Sequence, residues 1–237
     1  MNAQSSPTNK SRLLRREAAP ADLPAELGDS PQWAADPKGY AFVKRLGDVG
    51  GALLLLALGF PVMLAIALLI KLTSPGPVLF RQVRLGRHGD LFSMFKFRTM
   101  VINAERQLAL SPELTRAFEA TFKIARDPRV TPLGAFLRRA SLDELPQVIN
   151  VLGGSMSLIG PRPIVPAELV KYGPWGEKLL TVKPGLGGMW QANGRSDTTY
   201  AERVALDTYY VDHRSVRLDL SLLAKTVVSV LTCRGSS

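Results

Sequence analysis

The sequence predicts an α+β fold, mainly helical and attached to a membrane. Three observations carry that expectation: a long uncharged apolar run, a β-leaning pair around a Gly-rich turn, and several amphipathic stretches downstream. The run from Val49 to Ile70, VGGALLLLALGFPVMLAIALLI, has about twenty-two residues without a charge, enough to reach across a bilayer core. A soluble core helix is usually shorter and less uniformly aliphatic, so this segment is expected to enter lipid.

Its path in the membrane has two readings. Pro61, just after Gly59, removes a backbone donor and crowds the preceding turn, which predicts a kink near Pro61. Lys44 and Arg45 precede the run, and Lys71, Arg81, Arg84, Arg87, Lys96 and Arg98 follow it. Positive charge on both flanks conflicts with a simple crossing. A re-entrant helix would return both flanks to one face; a kinked spanning helix is the alternative, since lipid-buried helices tolerate proline.

The helix is placed from about Tyr40 to Leu72 within a membrane unit of residues 38–73, and Ser74-Pro-Gly-Pro77 ends it. Residues 1–37, rich in Ala, Pro and charge, are expected to form a flexible tail. Lys10, Arg12, Arg15 and Arg16 are not followed by an apolar run, so a secretory signal is not expected. Residues 74–237 make the remaining domain. There VLFRQVRLGRHGDLFSMFKFRTM predicts a small β-hairpin around Gly86-Arg-His-Gly89. Thr131 and Pro132 predict the N-cap and first position of a short helix, with Leu133, Phe136 and Leu137 on one face and Arg138 and Arg139 in its last turn. Helices are expected near Tyr200–Val211 and Leu218–Leu231, the second either packed in the core or interfacial and amphipathic.

Charge narrows the partner class. The 237-residue chain carries a net +10 and is 46% hydrophobic, which suits an anionic partner: nucleic acid, acidic lipid or a phosphorylated substrate. Cys233 is the only cysteine, so no internal disulfide framework exists, as in a reducing compartment.

Against that basic background stands an acid pair, Asp143 and Glu144, in ASLDELPQVIN, directly after Arg138 and Arg139 and shortly before GPRP at Gly160–Pro163. Ser141-x-x-Glu144 matches a capping box, in which Ser141 caps a helix and Glu144 reaches back. A helix N-terminus would also keep Asp143 ionised, ready to act as a nucleophile or a metal ligand. Arg162, set between prolines on a stiff backbone, suits a planar fork aimed at phosphate. Acids among arginines make sense where a phosphorylated substrate meets a divalent cation, because phosphoryl transfer requires charge neutralisation and alignment. No P-loop, GxGxxG or Cys/His cluster is present, and His88 and His213 are isolated. No nucleic-acid-binding motif accompanies the positive charge.

The ordered set KRLGD at Lys44–Asp48, FKFRTM at Phe95–Met100, DPRVTPLGAFLRRASLDELPQ, MSLIGPRP and KPGLGGMWQANGR resembles the bacterial sugar transferase family, the monotopic polyprenyl-phosphate sugar-1-phosphate transferases. Lacking an N-terminal transmembrane bundle, it is similar to the members that initiate exopolysaccharide synthesis, of the undecaprenyl-phosphate galactose or glucose phosphotransferase type. The resemblance spans roughly Tyr40 to Leu231 and favours the re-entrant reading, with a cytoplasmic catalytic domain on the inner membrane of a bacterial cell. It implies that Asp143 attacks the β-phosphate of a UDP-sugar, releases UMP and passes the sugar phosphate to undecaprenyl phosphate. Glu144 would position Mg²⁺ or Asp143, the two acids forming the metal site. Arg162, Arg138 and Lys96 would hold phosphates, and Arg195 would contact the nucleotide. Arg45, counted among the substrate-binding residues, and Asp48 would anchor the helix beside the lipid head group. Nucleic acid is not an expected partner, and a homodimer is admitted. Ser155 stands where the family often has an acid, and Gly187 where it commonly has Thr. A non-catalytic membrane scaffold for polysaccharide assembly is the competing function, which the complete acid pair with Arg162 argues against.

Overall fold

In lipid, backbone groups must pair within their own segment, so an apolar run of this length has to be helical. The computed structural model describes residues 36, 38–121, 124, 127–192 and 199–231; the tail apart from Asp36 and Lys38, Arg195 and Cys233 lie outside the described residues. Tyr40–Thr73 form one helix, α1, which continues through Pro61. At its C-terminus Ser74 turns extended and Gly76 takes a φ of 104°. Arg98 seals that end by donating to the carbonyls of Pro75 and Ser74 at 2.5 and 2.9 Å, so the exit from the apolar segment is fixed by a residue of the predicted hairpin.

That hairpin forms as expected. β1 (Leu79–Leu85) pairs antiparallel with β2 (Leu91–Phe97), Phe80 opposite Lys96 and Arg84 opposite Phe92. Side chains alternate along a strand, so Arg84 and Lys96 share one face of the ribbon. His88 accepts a φ of 60° in the connecting turn.

Helices α2 (Ala104–Leu110) and α3 (Pro112–Thr121) lead to α4 (Pro132–Arg139). Thr131 caps α4 as predicted, its hydroxyl accepting from the Gly134 amide at 3.0 Å, with Pro132 in the first turn. Leu137 is buried and Leu133 packs beside it, but Phe136 is 58% exposed, so the expected apolar face is narrower than the spelling suggested. Gly134 is required for contact: a Cβ there would lie 2.0 Å from the Thr99 carbonyl oxygen.

A 3-10 helix over Leu142–Gln147 and α5 (Val148–Leu152) follow. Next come β3 (Ser157–Ile159), a second 3-10 stretch over Pro166–Trp175, α6 (Gly176–Leu179) and β4 (Gly185–Gly187). β3 and β4 pair in parallel, a two-strand contact that the sequence reading left unassigned. The Gly-rich segment makes it possible, because a Cβ on Gly185 or Gly188 would meet the Gly160 backbone at 2.1 or 2.2 Å. Helices α7 (Met189–Ala192), α8 (Tyr200–His213) and α9 (Val216–Leu231) close the chain, the last two near their predicted positions.

Two of the core clusters join α1 to the rest. Ala52 packs with Met94, Val148, Val151, Met156 and Leu158, while Ile66 and Ile70 pack with Phe97 and Leu137. Asp48 accepts from the Leu158 amide and the Ser157 hydroxyl, both at 2.9 Å, which ties α1 to β3. Asp219 of α9 accepts from Tyr40, Lys44 and Tyr210 at 2.7–2.9 Å, fixing the start of α1. Elsewhere α1 stays bare: Leu53, Leu54, Leu58, Phe60, Leu64, Leu68 and Leu72 are each more than half exposed. So large an apolar surface is what a helix in lipid presents.

Candidate functional site

The acid pair is held by the hairpin. Asn150 of α5 pairs with the backbone of β2 as a neighbouring strand would, accepting from the Phe95 amide at 3.0 Å and donating to the Ser93 carbonyl at 2.8 Å. That clamp sets the 3-10 helix against β2, and Lys96 Nζ reaches Glu144 Oε1 at 2.6 Å. The predicted capping box does not form. Ser141 adopts φ 56°, the left-handed region, and makes no side-chain cap bond, because the chain leaves α4 and tightens at once into a 3-10 helix.

Asp143 is 7% exposed and its partner acid is adjacent, so burial pushes its carboxyl up to about 6. Lys96 and Arg138 pull the other way, and Glu144 adds to the rise. The expected stabilisation by a helix terminus is thus outweighed by desolvation, since six residues of 3-10 helix carry little aligned dipole. At neutral pH the carboxylate form still prevails. Arg138 is anchored by its Nε to the Thr99 hydroxyl at 2.9 Å, and its attraction to Asp143 places it beside the acids rather than only at a helix end.

Arg162 lies on the loop after β3. Its guanidinium sits 4.7 Å from the centre of the Trp190 ring, and Arg203 of α8 sits 5.1 Å from the same ring. Arg84 links this group to the acids: it is repelled by Arg162 and attracted by both Glu168 and Glu144. It also donates to the Pro163 carbonyl at 3.1 Å, holding the Pro-Arg-Pro loop from the hairpin. Lys96, Asp143, Glu144 and Arg138 therefore meet directly, and Arg162 joins them through Arg84. Arg45 does not present its charge to them. Its two terminal nitrogens donate to the carbonyls of Val151 and Leu152 at 2.7 and 2.8 Å, closing the C-terminal end of α5. Arg195 falls outside the described residues.

Two acids can serve Mg²⁺, which commonly takes one or two carboxylates and completes its shell with water and phosphate oxygens. Among the described residues no cluster of three or more His, Cys, Asp or Glu side chains offers a full protein cage.

Residues 39–233 match the model of the bacterial sugar transferase family. The chain belongs to that family. Among its relatives, the exopolysaccharide production protein ExoY of Rhizobium meliloti (strain 1021) is 41% identical over 226 residues, 94% of this chain and 97% of that protein. The undecaprenyl-phosphate galactose phosphotransferase of Salmonella typhimurium is 42% identical over 200 residues, covering 82% of this chain but 42% of that protein. The UDP-glucose:undecaprenyl-phosphate glucose-1-phosphate transferase of Xanthomonas campestris pv. campestris is 41% identical over 204 residues, 81% of this chain and 39% of that protein. This sugar transferase is thus comparable in length to the ExoY protein and spans less than half of the other two.

Sequence reasoning missed Arg84, Glu168, Trp190 and Arg203 as a group. One signal was available: Tyr200, Arg203, Asp207 and Tyr210 recur at helical spacing on α8 as a polar stripe.

Proposed function

We propose that this transferase moves a sugar 1-phosphate from a UDP-sugar to undecaprenyl phosphate through a covalent aspartyl intermediate. The observation that carries the reading is the buried Asp143, flanked by Lys96–Glu144 on one side and Arg138 on the other. Asp143 Oδ attacks the β-phosphorus as the bond to the UMP oxygen breaks; the acceptor phosphate then displaces the aspartate and yields the lipid diphosphate sugar. Burial strips water from the nucleophile, and Lys96, Arg138 and Arg162 offset the charge that gathers on the phosphates. Mg²⁺, held by Asp143 and Glu144, would supply further neutralisation of those oxygens. Glu144 also positions Lys96. Arg195 would reach the nucleotide, and Arg45 acts as a structural anchor beside the head group rather than as a ligand.

The placement of α1 supports a one-sided membrane attachment. Tyr40 and Ile70 both contact the catalytic domain, and roughly thirty residues lie between those contacts, a path of about 45 Å if the helix ran straight. A straight crossing would carry one end out of reach of a domain that stays on one face. We therefore read residues 38–73 as a re-entrant helix bent at Pro61, residues 74–237 as a catalytic domain on the cytoplasmic face of the inner membrane, and residues 1–37 as a tail.

The test is UMP release by detergent-purified protein given undecaprenyl phosphate, Mg²⁺ and a panel of UDP-sugars. Wild type should release UMP with one donor, and Asp143→Asn should lose at least about a thousandfold in rate. Full activity in Asp143→Asn would remove the nucleophile assignment. Silence of folded wild type toward every donor would favour the scaffold.

A further inference from the structure

We infer that Arg84 and Arg203, with the indole of Trp190, extend the Arg162 loop into a built subsite for a phosphoryl anion. The inference rests on the sugar-nucleotide reading above and adds residues that the acid pair and the Pro-Arg-Pro loop do not include.

The first support is an excess of donors. The Nε atoms of Arg84, Arg162 and Arg203 and the Nε1 of Trp190 are all buried, and none has a hydrogen-bond partner among the described residues. A buried donor without a partner is costly, and four in one neighbourhood is far above the usual incidence. They do share a neighbourhood: Arg162 and Arg203 lie over one indole, and Arg84 and Arg203 flank one carboxylate.

The second support is an excess of charge. Glu168, 3% exposed, faces Arg84 at 3.8 Å and Arg203 at 3.9 Å. Both distances exceed those of a hydrogen-bonded guanidinium–carboxylate pair, so Glu168 orients the two forks without saturating them. The other nearby acid, Asp207, is fully enclosed and accepts from Tyr172 at 2.8 Å. Burial pushes its carboxyl up to about 7, so it neutralises Arg162 and Arg203 only in part. Burial also lowers Arg84 to about 10, with repulsion from Arg162 as the next cause. Excess buried positive charge is unfavourable until an anion arrives.

The chemistry of the vacant donors selects the anion. Guanidinium edges and an indole N–H are hydrogen-bond donors without acceptor capacity, which suits the acceptor oxygens of a phosphate; sugar hydroxyls can also accept but bring no charge to balance the arginines. Arg84, attracted to Glu144, sets this subsite beside the acid pair, within reach of a second phosphate of the same substrate or of the acceptor's head group.

The experiment measures binding to the full chain in detergent by calorimetry and thermal shift, with inorganic pyrophosphate, UDP and a short-chain prenyl phosphate as probes. Wild type is compared with Arg203→Gln and Arg203→Lys. Arg203→Gln should weaken at least one probe by about tenfold or more, and Arg203→Lys, which keeps the charge but not the planar fork, should recover part of it. Loss with pyrophosphate and UDP assigns the subsite to the donor diphosphate; loss confined to the prenyl phosphate assigns it to the lipid head group. Should Arg203→Gln fail to fold, the lysine variant decides, since it preserves the pair with Glu168. Wild-type affinity for all three probes in a folded variant overturns the inference. Arg203-dependent pyrophosphate binding without UMP release from any UDP-sugar would leave the anion subsite standing and remove the donor reading; UMP release with unchanged affinities would do the reverse.

Discussion

The acid pair and the arginine cluster are neighbours built on opposite accounts of charge. At the acid pair, opposite charges meet at hydrogen-bond distance: Lys96 and Glu144 at 2.6 Å, with Arg138 drawn toward Asp143. At the arginine cluster, Arg84 and Arg203 share one loosely held carboxylate with Arg162 close by, and the Nε atoms of all three have no partner among the described residues. The difference teaches that the two regions have different tasks. A balanced site keeps a reactive group poised at little electrostatic cost, whereas an unbalanced one gains stability only when an anion completes it.

Substitutions can separate those tasks. The largest effect is expected for Asp143→Asn, which should abolish UMP release while leaving UDP affinity near that of wild type; a parallel loss of affinity would merge the two regions into one binding site. Lys96→Met comes next: on the proposed mechanism Lys96 would balance charge at the reacting phosphate, so turnover should fall about a hundredfold, more than KM rises. Arg203→Gln should invert that pattern, with its loss concentrated in KM.

The last effect is a matter of stability rather than activity. Asp207 has a folded-state pKa of about 7 against an ordinary 3.8, so the native protein binds this proton more tightly than the unfolded chain. Its contribution is therefore present below pH 4 and is lost as pH rises toward 7. Arg162, Arg203 and Tyr172 oppose the shift but do not cancel it. Urea unfolding of Asp207→Asn should lack this decline, diverging from wild type by up to about 1.4 kcal/mol per pH unit between roughly pH 4 and 7. Parallel curves would mean that the arginines already hold Asp207 ionised.

The sequence made the acid pair, Arg138 and Arg162 legible because each lies in a short motif whose residue types state their chemistry, whereas Lys96 was singled out only through the family resemblance. It made α1, the hairpin and the Thr131 cap legible because periodicity and turn residues act locally. The capping box at Ser141 failed for a reason outside its own spelling: Asn150 pins the following turn to β2 and leaves room only for a 3-10 helix. Arg45 was legible as a cation flanking the apolar run but not as a carbonyl cap, since Val151 and Leu152 are more than a hundred residues away. The pairing of Arg84, Glu168 and Arg203 depends likewise on long-range contact that no window along the chain contains. Gly187 has a local explanation only in three dimensions, because a Cβ there would press on Thr226 of α9 at 2.9 Å.

The fastening of α1 at both ends has a mechanical consequence. With Asp219 gripping its start, Asp48 its first third and Arg98 its exit, the apolar helix behaves as a keel rather than a tether. A tethered domain would sample many elevations above the bilayer and would meet a lipid phosphate only in passing. On the one-sided attachment proposed above, a keeled one would ride at a fixed waterline, making the height of Asp143 over the head-group plane a property of the fold and the buoyancy of the helix part of the alignment of the proposed reaction.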